Sequence, residues 1–268
     1  MKHFKVITCS VLRREMYFCA ARSINYVEVV LLPQGLHNTP DQLRVTVQQE
    51  IDRPFVQHQH GDKDFDLSDS LPADKPCDGI ILGYPLCCNG TVGLIARDAP
   101  LIIPRAHDCI SIMLGSAERY LKHFNDFPGN YWFSAGWMET CLMPGKQRYE
   151  KCFQHYLEKY GEDNAKYLME VQEDWYAKYS TATFIRQPEF PLMEERKSET
   201  LQNTEFLHWN YKELEGNLSL IQRMLDGVWD EKEVLVVPPN SITESDPASS
   251  RILTCKQLSK KAEAMKKG

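Results

Sequence analysis

Short β-rich runs alternate with helical patterns over about the first 125 residues. Phe4 to Thr8 predicts a strand, and Ser10 suits the N-cap of a helix with Val11, Leu12, Met16 and Phe18 or Cys19 on its buried side. Tyr26 to Leu32 predicts a second strand. Thr39 before Pro40 marks a helix running to about Asp52, because proline is pre-organised for the first helical position. Asp78 to Gly83 and Leu101 to Ile103 predict a third and a fourth strand. Ile110 to Phe124 predicts a helix, with Ile112, Met113, Leu121 and Phe124 among its apolar positions. Strands separated by helices pair in parallel through crossovers, which predicts an α/β fold: a largely parallel, Rossmann-like sheet with flanking helices.

The second half is more helical and contributes further short strands. Tyr131 to Ala135 and Thr181 to Ile185 are strand candidates, and Gln147 to Tyr179 reads as two helices broken near Gly161. Phe206 to Trp209 and Val234 to Val237 predict strands flanking a helix from Leu218 to Leu225, which Gly227 stops. We expect one α/β domain over residues 1–240, with two lobes at about 1–128 and 129–240. Residues 241–268, rich in Ser, Pro, Asp and Lys, are expected to be a polar tail of loop and solvated helix.

The chain has 268 residues, 31 Lys and Arg against 37 Asp and Glu, and a net charge of -6, so a bulk nucleic-acid or anionic-membrane partner is not expected. Hydrophobic content of 43% is that of a globular protein, and no apolar run approaches a membrane span. The opening run Val6-Ile7-Thr8-Cys9 is too short for a signal sequence, and a cytoplasmic location is expected. Nine cysteines are then expected as thiols, available for packing, metal binding or redox chemistry.

Parallel α/β sheets bind ligands at the carboxyl ends of their strands. Cys9 ends the first predicted strand, His37 follows the second, Cys87 follows the third, and His107 and Cys109 follow the fourth. Each strand end therefore delivers a Cys or His to one edge. Three thiolates with an imidazole make a tetrahedral zinc set; three thiolates with an open position suit an iron-sulfur cluster. Either His37 or His107 could complete the set. Arg105 is placed to hold an anion or to pair with Asp108 or Glu15. His58 and His60 read as solvated loop residues. No G-x-G-x-x-G, P-loop, G-x-S-x-G or H-E-x-x-H pattern occurs.

Several segments together resemble the prokaryotic domain-of-unknown-function family sixteen thirty-eight. They are Cys9 with Glu15, Leu36-His37-Asn38-Thr39-Pro40, Tyr84-x-x-Cys87, Pro104-Arg105-x-His107-Asp108-Cys109, Gly129-x-Tyr131, Gly136-Trp137, and Leu225-Asp226-Gly227-x-Trp229 with Pro238-Pro239. The resemblance covers about residues 4–243. Pro85 and Cys88 depart from the small residues usual there, and Cys87 holds the Tyr-x-x-Cys register. Members accompany corrinoid-dependent, trimethylamine-type methyltransferases and their corrinoid proteins. The resemblance thus implies one-carbon or methyl-transfer metabolism with such a protein as partner and a corrinoid supplied through it. It also implies Cys9, Cys87, Cys109 and His37 as metal ligands, zinc favoured over an iron-sulfur cluster, with His107, Arg105, Glu15 and Tyr84 as candidates for catalytic roles. A non-catalytic accessory that binds a corrinoid protein or delivers metal is the alternative.

Overall fold

A computed structural model describes residues 1–53, 77–86, 89–246 and 252–258, apart from the side chains of Glu173 and Ile252. In chain order the elements are β1 (His3–Cys9), α1 (Arg13–Arg22), β2 (Tyr26–Leu32), α2 (Pro40–Asp52), β3 (Gly79–Gly83) and β4 (Leu101–Pro104). Then come α3 (Cys109–Met113), α4 (Ala117–Asp126), β5 (Asn130–Ser134), α5 (Ala135–Thr140), α6 (Lys146–Tyr160), α7 (Glu162–Tyr176) and β6 (Thr181–Arg186). The remaining elements are α8 (Met193–Phe206), β7 (Asn210–Glu215), α9 (Ser219–Asp226), β8 (Val234–Val237), β9 (Ser241–Asp246) and β10 (Ile252–Gln257). The fold is α/β with a mostly parallel central sheet, as the alternating pattern predicts.

The chain forms two compact units. One comprises Met1–Cys9, Met16–Cys109 and Leu220–Gly268; the other comprises Ser10–Glu15 and Ile110–Ser219. The boundaries between these units fall at residues 9/10, 15/16, 109/110 and 219/220.

The first unit is built on a five-stranded sheet in the order β2-β1-β3-β4-β8, in which only β8 runs antiparallel to its neighbour. Phe4, Val6, Ile7, Ile81, Leu82 and Ile102 are fully or almost fully buried and make its core. Strands β1 and β3 approach closely at their carboxyl ends. A Cβ at Gly83 would lie 2.1 Å from Thr8 Oγ1, so only glycine fits beside that threonine.

One position in β1 breaks the apolar pattern. Lys5 is 2% exposed and pairs in register with Glu28. Its Nζ donates to the carbonyls of Glu50 (2.5 Å) and Arg53 (3.2 Å) at the carboxyl end of α2. Carbonyls left open at a helix end carry partial negative charge, so a buried cation there fastens the helix to the sheet. Burial pushes the ammonium below its ordinary pKa, while Glu50 and Glu28 oppose the shift.

The second unit holds a parallel three-stranded sheet, β5-β6-β7. Helix α5 packs on the turn of Ser10 to Leu12 so closely that a Cβ at Gly136 would meet the Val11 carbonyl oxygen at 1.8 Å. Glu139 of α5 accepts from Arg14 at 2.6 Å and from Arg13 at 3.2 Å, locking the contact. Tyr131, Tyr179, Trp175 and Trp209 form an aromatic cluster with ring centres 5.2–6.1 Å apart. These rings touch one another, which makes the cluster packing and not a stacking platform.

Four expectations are corrected. The helix expected over 110–124 is interrupted between α3 and α4, because Gly115 adopts φ +68 and Ser116 starts a new helix by accepting from the Arg119 amide. Leu121 and Phe124 face outward while His123 is buried. Phe206 to Trp209 is the end of α8 and a turn at His208, with the strand following as β7. Part of the expected tail is the β9–β10 hairpin, which Thr243 pins by donating to the Thr91 carbonyl at 2.7 Å and accepting from the Leu94 amide at 2.8 Å.

Replacing Lys5 by Met leaves the Glu50 and Arg53 carbonyls without their charged donor at a buried position, while the Glu50 carboxylate keeps Arg53 at 3.0 Å. Urea denaturation is expected to show a loss of about 3 kcal/mol; a change within about 0.5 kcal/mol would remove the helix-fastening role.

Candidate functional site

The site follows from strand order. From β1 the chain goes to β2 on one side and to β3 on the other, so the strand order reverses between β1 and β3, the switch point at whose carboxyl side open α/β sheets bind ligands. Register places Cys9 opposite Leu32 and Thr8 opposite Gly83, which levels the ends of β2, β1 and β3. Cys9, the last residue of β1, is 8% exposed, and Tyr84, the first residue after β3, is 2% exposed. The loops after β3 and β4 are joined where the Leu86 amide donates to the Ala106 carbonyl at 2.9 Å. Thr91 braces the first of these loops by donating to the Pro85 carbonyl at 3.0 Å.

His37 lies half-buried in a single helical turn, Leu36–Asn38, entered through Gly35 at φ +94. Burial pushes its imidazole below the ordinary range, which favours the neutral form that ligates metals. His107 is exposed, and Cys109 is half-buried at the start of α3. The seven cysteines among the described residues are free thiols. Among those residues no three His, Cys, Asp or Glu side chains gather into a metal-binding group, so Cys9, Cys109 and either histidine do not form one by themselves. Cys87 and Cys88 lie outside the described residues, as do His58 and His60.

Arg105 is occupied in a way that local sequence does not reveal. Its Nε donates to the Glu231 carbonyl at 2.8 Å and its Nη1 to the Leu253 carbonyl, while its own amide donates to the Glu233 carbonyl at 2.7 Å. The guanidinium therefore ties the loop after β4 to the approach to β8 and to β10. That is a bracing role for this edge. Its three carbonyl partners lie more than a hundred residues away in sequence. The buried Lys5 was also missed, although a lysine inside an apolar strand run was the available signal.

Glu15 belongs to the second unit. It is 1% exposed, and its Oε2 has no hydrogen-bond partner among the described residues. Burial raises its pKa from 4.5 to about 7; its own backbone amide and Arg14 oppose the shift, and Glu139 adds to it. A carboxyl in that range exchanges protons at neutral pH.

The first unit is thus an open, mostly parallel α/β sheet with thiol, imidazole and phenol groups after or at the carboxyl ends of its strands. The family described as "Protein of unknown function (DUF1638)" matches residues 31–225, and the chain belongs to it. The match takes in His37, Tyr84, Cys87, Arg105, His107 and Cys109, whereas Cys9 and Glu15 precede it. No curated protein and no solved structure matches the chain. No helix among the described residues is long and apolar enough to cross a membrane.

The raised Glu15 value has a pH consequence with a definite sign. The stability contributed by the protonated carboxyl is complete below about 4.5 and is lost as pH rises through about 7. Glu15→Gln should therefore match the parent near pH 4 and be more stable by about 3 kcal/mol near pH 8. Denaturant melts at the two pH values check this; an equal difference at both would contradict it.

Proposed function

We propose that the carboxyl edge of the first unit's sheet is a metal-dependent site of one-carbon or methyl-transfer metabolism, working in the cytoplasm with a corrinoid protein or corrinoid-dependent methyltransferase. The carrying observation is that Cys9, His37, Tyr84 and the His107-to-Cys109 loop all end or follow parallel strands of one sheet, whose strand order reverses between β1 and β3. The setting in corrinoid metabolism rests on the family resemblance alone.

The donor types suit zinc: Cys9, Cys87 and Cys109 would supply thiolates and His37 a neutral imidazole, and the ion would have to draw together the three of these that are described, which do not form a metal group on their own. Zinc held by thiolates would bind an incoming thiol and keep it as the nucleophilic thiolate. Tyr84, buried just after β3, would orient a bound group through its hydroxyl. His107, exposed at the rim, would exchange the proton that a thiol releases. Arg105 would hold the loop that carries His107 and Cys109 in place. Glu15 lies in the second unit and is given no role at this edge.

Protein purified without oxygen should contain about one zinc per chain and show no absorbance near about 400 nm. A Cys9→Ser, Cys87→Ser, Cys109→Ser triple variant should lose that zinc while keeping its far-ultraviolet circular dichroism. Iron with sulfide in equal amounts would replace zinc by a cluster, and a folded triple variant that still holds the full zinc content would end the metal reading.

A further inference from the structure

Helix α7 presents an apolar row to solvent. Tyr167, Val171 and Trp175, four residues apart, are 65%, 50% and 42% exposed, and Tyr160 at the end of α6 is 45% exposed. Residues four apart share one helix face, so these side chains form a continuous stripe and not scattered exposures. Trp175 extends it toward Tyr179 and Tyr131, at ring-centre distances of 5.2 and 6.1 Å. The neighbouring helix α6 has the same incomplete cover. Its stripe Tyr149, Cys152, Phe153, Tyr156 and Leu157 follows helical spacing, yet none of its residues is buried. Such tyrosine- and tryptophan-rich exposure is the composition of an interface centre.

The charges beside the stripe select the partner. Asp163, Glu170 and Asp174 lie seven and four residues apart along one flank of α7, all exposed. None makes an ion pair among the described residues, whereas the nearby Lys166 is paired with Glu162 at 2.6 Å. An unpaired acidic row beside an aromatic stripe is complementary to an amphipathic helix with Lys or Arg along one side. A second copy of this chain fits poorly, because a two-fold pairing of α7 with itself sets the acidic row against itself. An anionic membrane would meet the same repulsion.

We propose that the exposed face of α7, centred on Tyr167, Val171 and Trp175, docks a basic amphipathic helix of a partner protein. The probe is a synthetic helical peptide of Leu at helical spacing and Lys elsewhere, with a Leu and Glu peptide of the same pattern for comparison, each added to the full-length protein. Amide hydrogen exchange should slow in α7 with the lysine peptide only. An Asp163→Lys, Glu170→Lys, Asp174→Lys variant should lose about tenfold or more in affinity for the lysine peptide and gain the glutamate peptide. A Tyr167→Ser, Val171→Ser, Trp175→Ser variant, all at exposed positions, should bind neither. Equal binding of the lysine peptide to parent and charge-reversed protein would overturn the proposal, as would protection confined to other elements. Protection of α7 by anionic phosphatidylserine vesicles but not by the lysine peptide would replace the partner helix with a membrane, and concentration-dependent dimerisation that protects α7 would replace it with a second copy.

Discussion

Strand β1 must be paired on both edges, and the rest of the first unit depends on how that is done. Its neighbours β2 and β3 follow it in the chain but lie on opposite sides, and both run parallel to it. Parallel pairing forbids a tight hairpin and requires crossovers. Going out one way and back the other reverses the strand order between β1 and β3. The switch point is therefore a consequence of pairing order, and the side chains that end those strands border it. The close approach of Thr8 and Gly83 belongs to the same constraint, since the two strands converge there with no room for a Cβ.

Two cations, the buried Lys5 and the half-buried Arg105, hold this arrangement from different sides. Lys5 fastens the carboxyl end of α2, and Arg105 fastens the loop after β4 to the segments around β8 and β10. Both use backbone carbonyls as partners. A carbonyl is fixed by the main chain, so each bond constrains a segment and not one mobile side chain. The β9–β10 hairpin is thereby part of the frame of the carboxyl edge.

Much of the first unit was legible because apolar runs were bounded by clear signals. The predicted spans of β2 and α2 agree with the structure at both ends, and Thr39-Pro40 marked the start of α2. The second unit was less legible for identifiable reasons. Helix α8 buries Met193, Thr200 and Thr204, and the threonines satisfy their hydroxyls on the carbonyls of Arg196 and Thr200 at 2.8 and 2.6 Å. A buried face made of threonine leaves no hydrophobic stripe to read. Strand β7, Asn-Tyr-Lys-Glu-Leu-Glu, has no fully buried residue, so the apolar residues just before it attracted the prediction. At the strand edge, Cys9, His37 and Cys109 could be placed from local pattern because Cys9 ends a strand and the other two each lie five residues past the end of one. Arg105 could not, because its partners Glu231 and Leu253 are defined only by the folded chain.

The central claim is that thiols from separate strand ends share one zinc ion. Zinc K-edge X-ray absorption of the protein purified without oxygen tests it most directly. The account predicts a first shell dominated by sulfur at about 2.3 Å with one nitrogen. A shell of only nitrogen and oxygen near about 2.0–2.1 Å would contradict it.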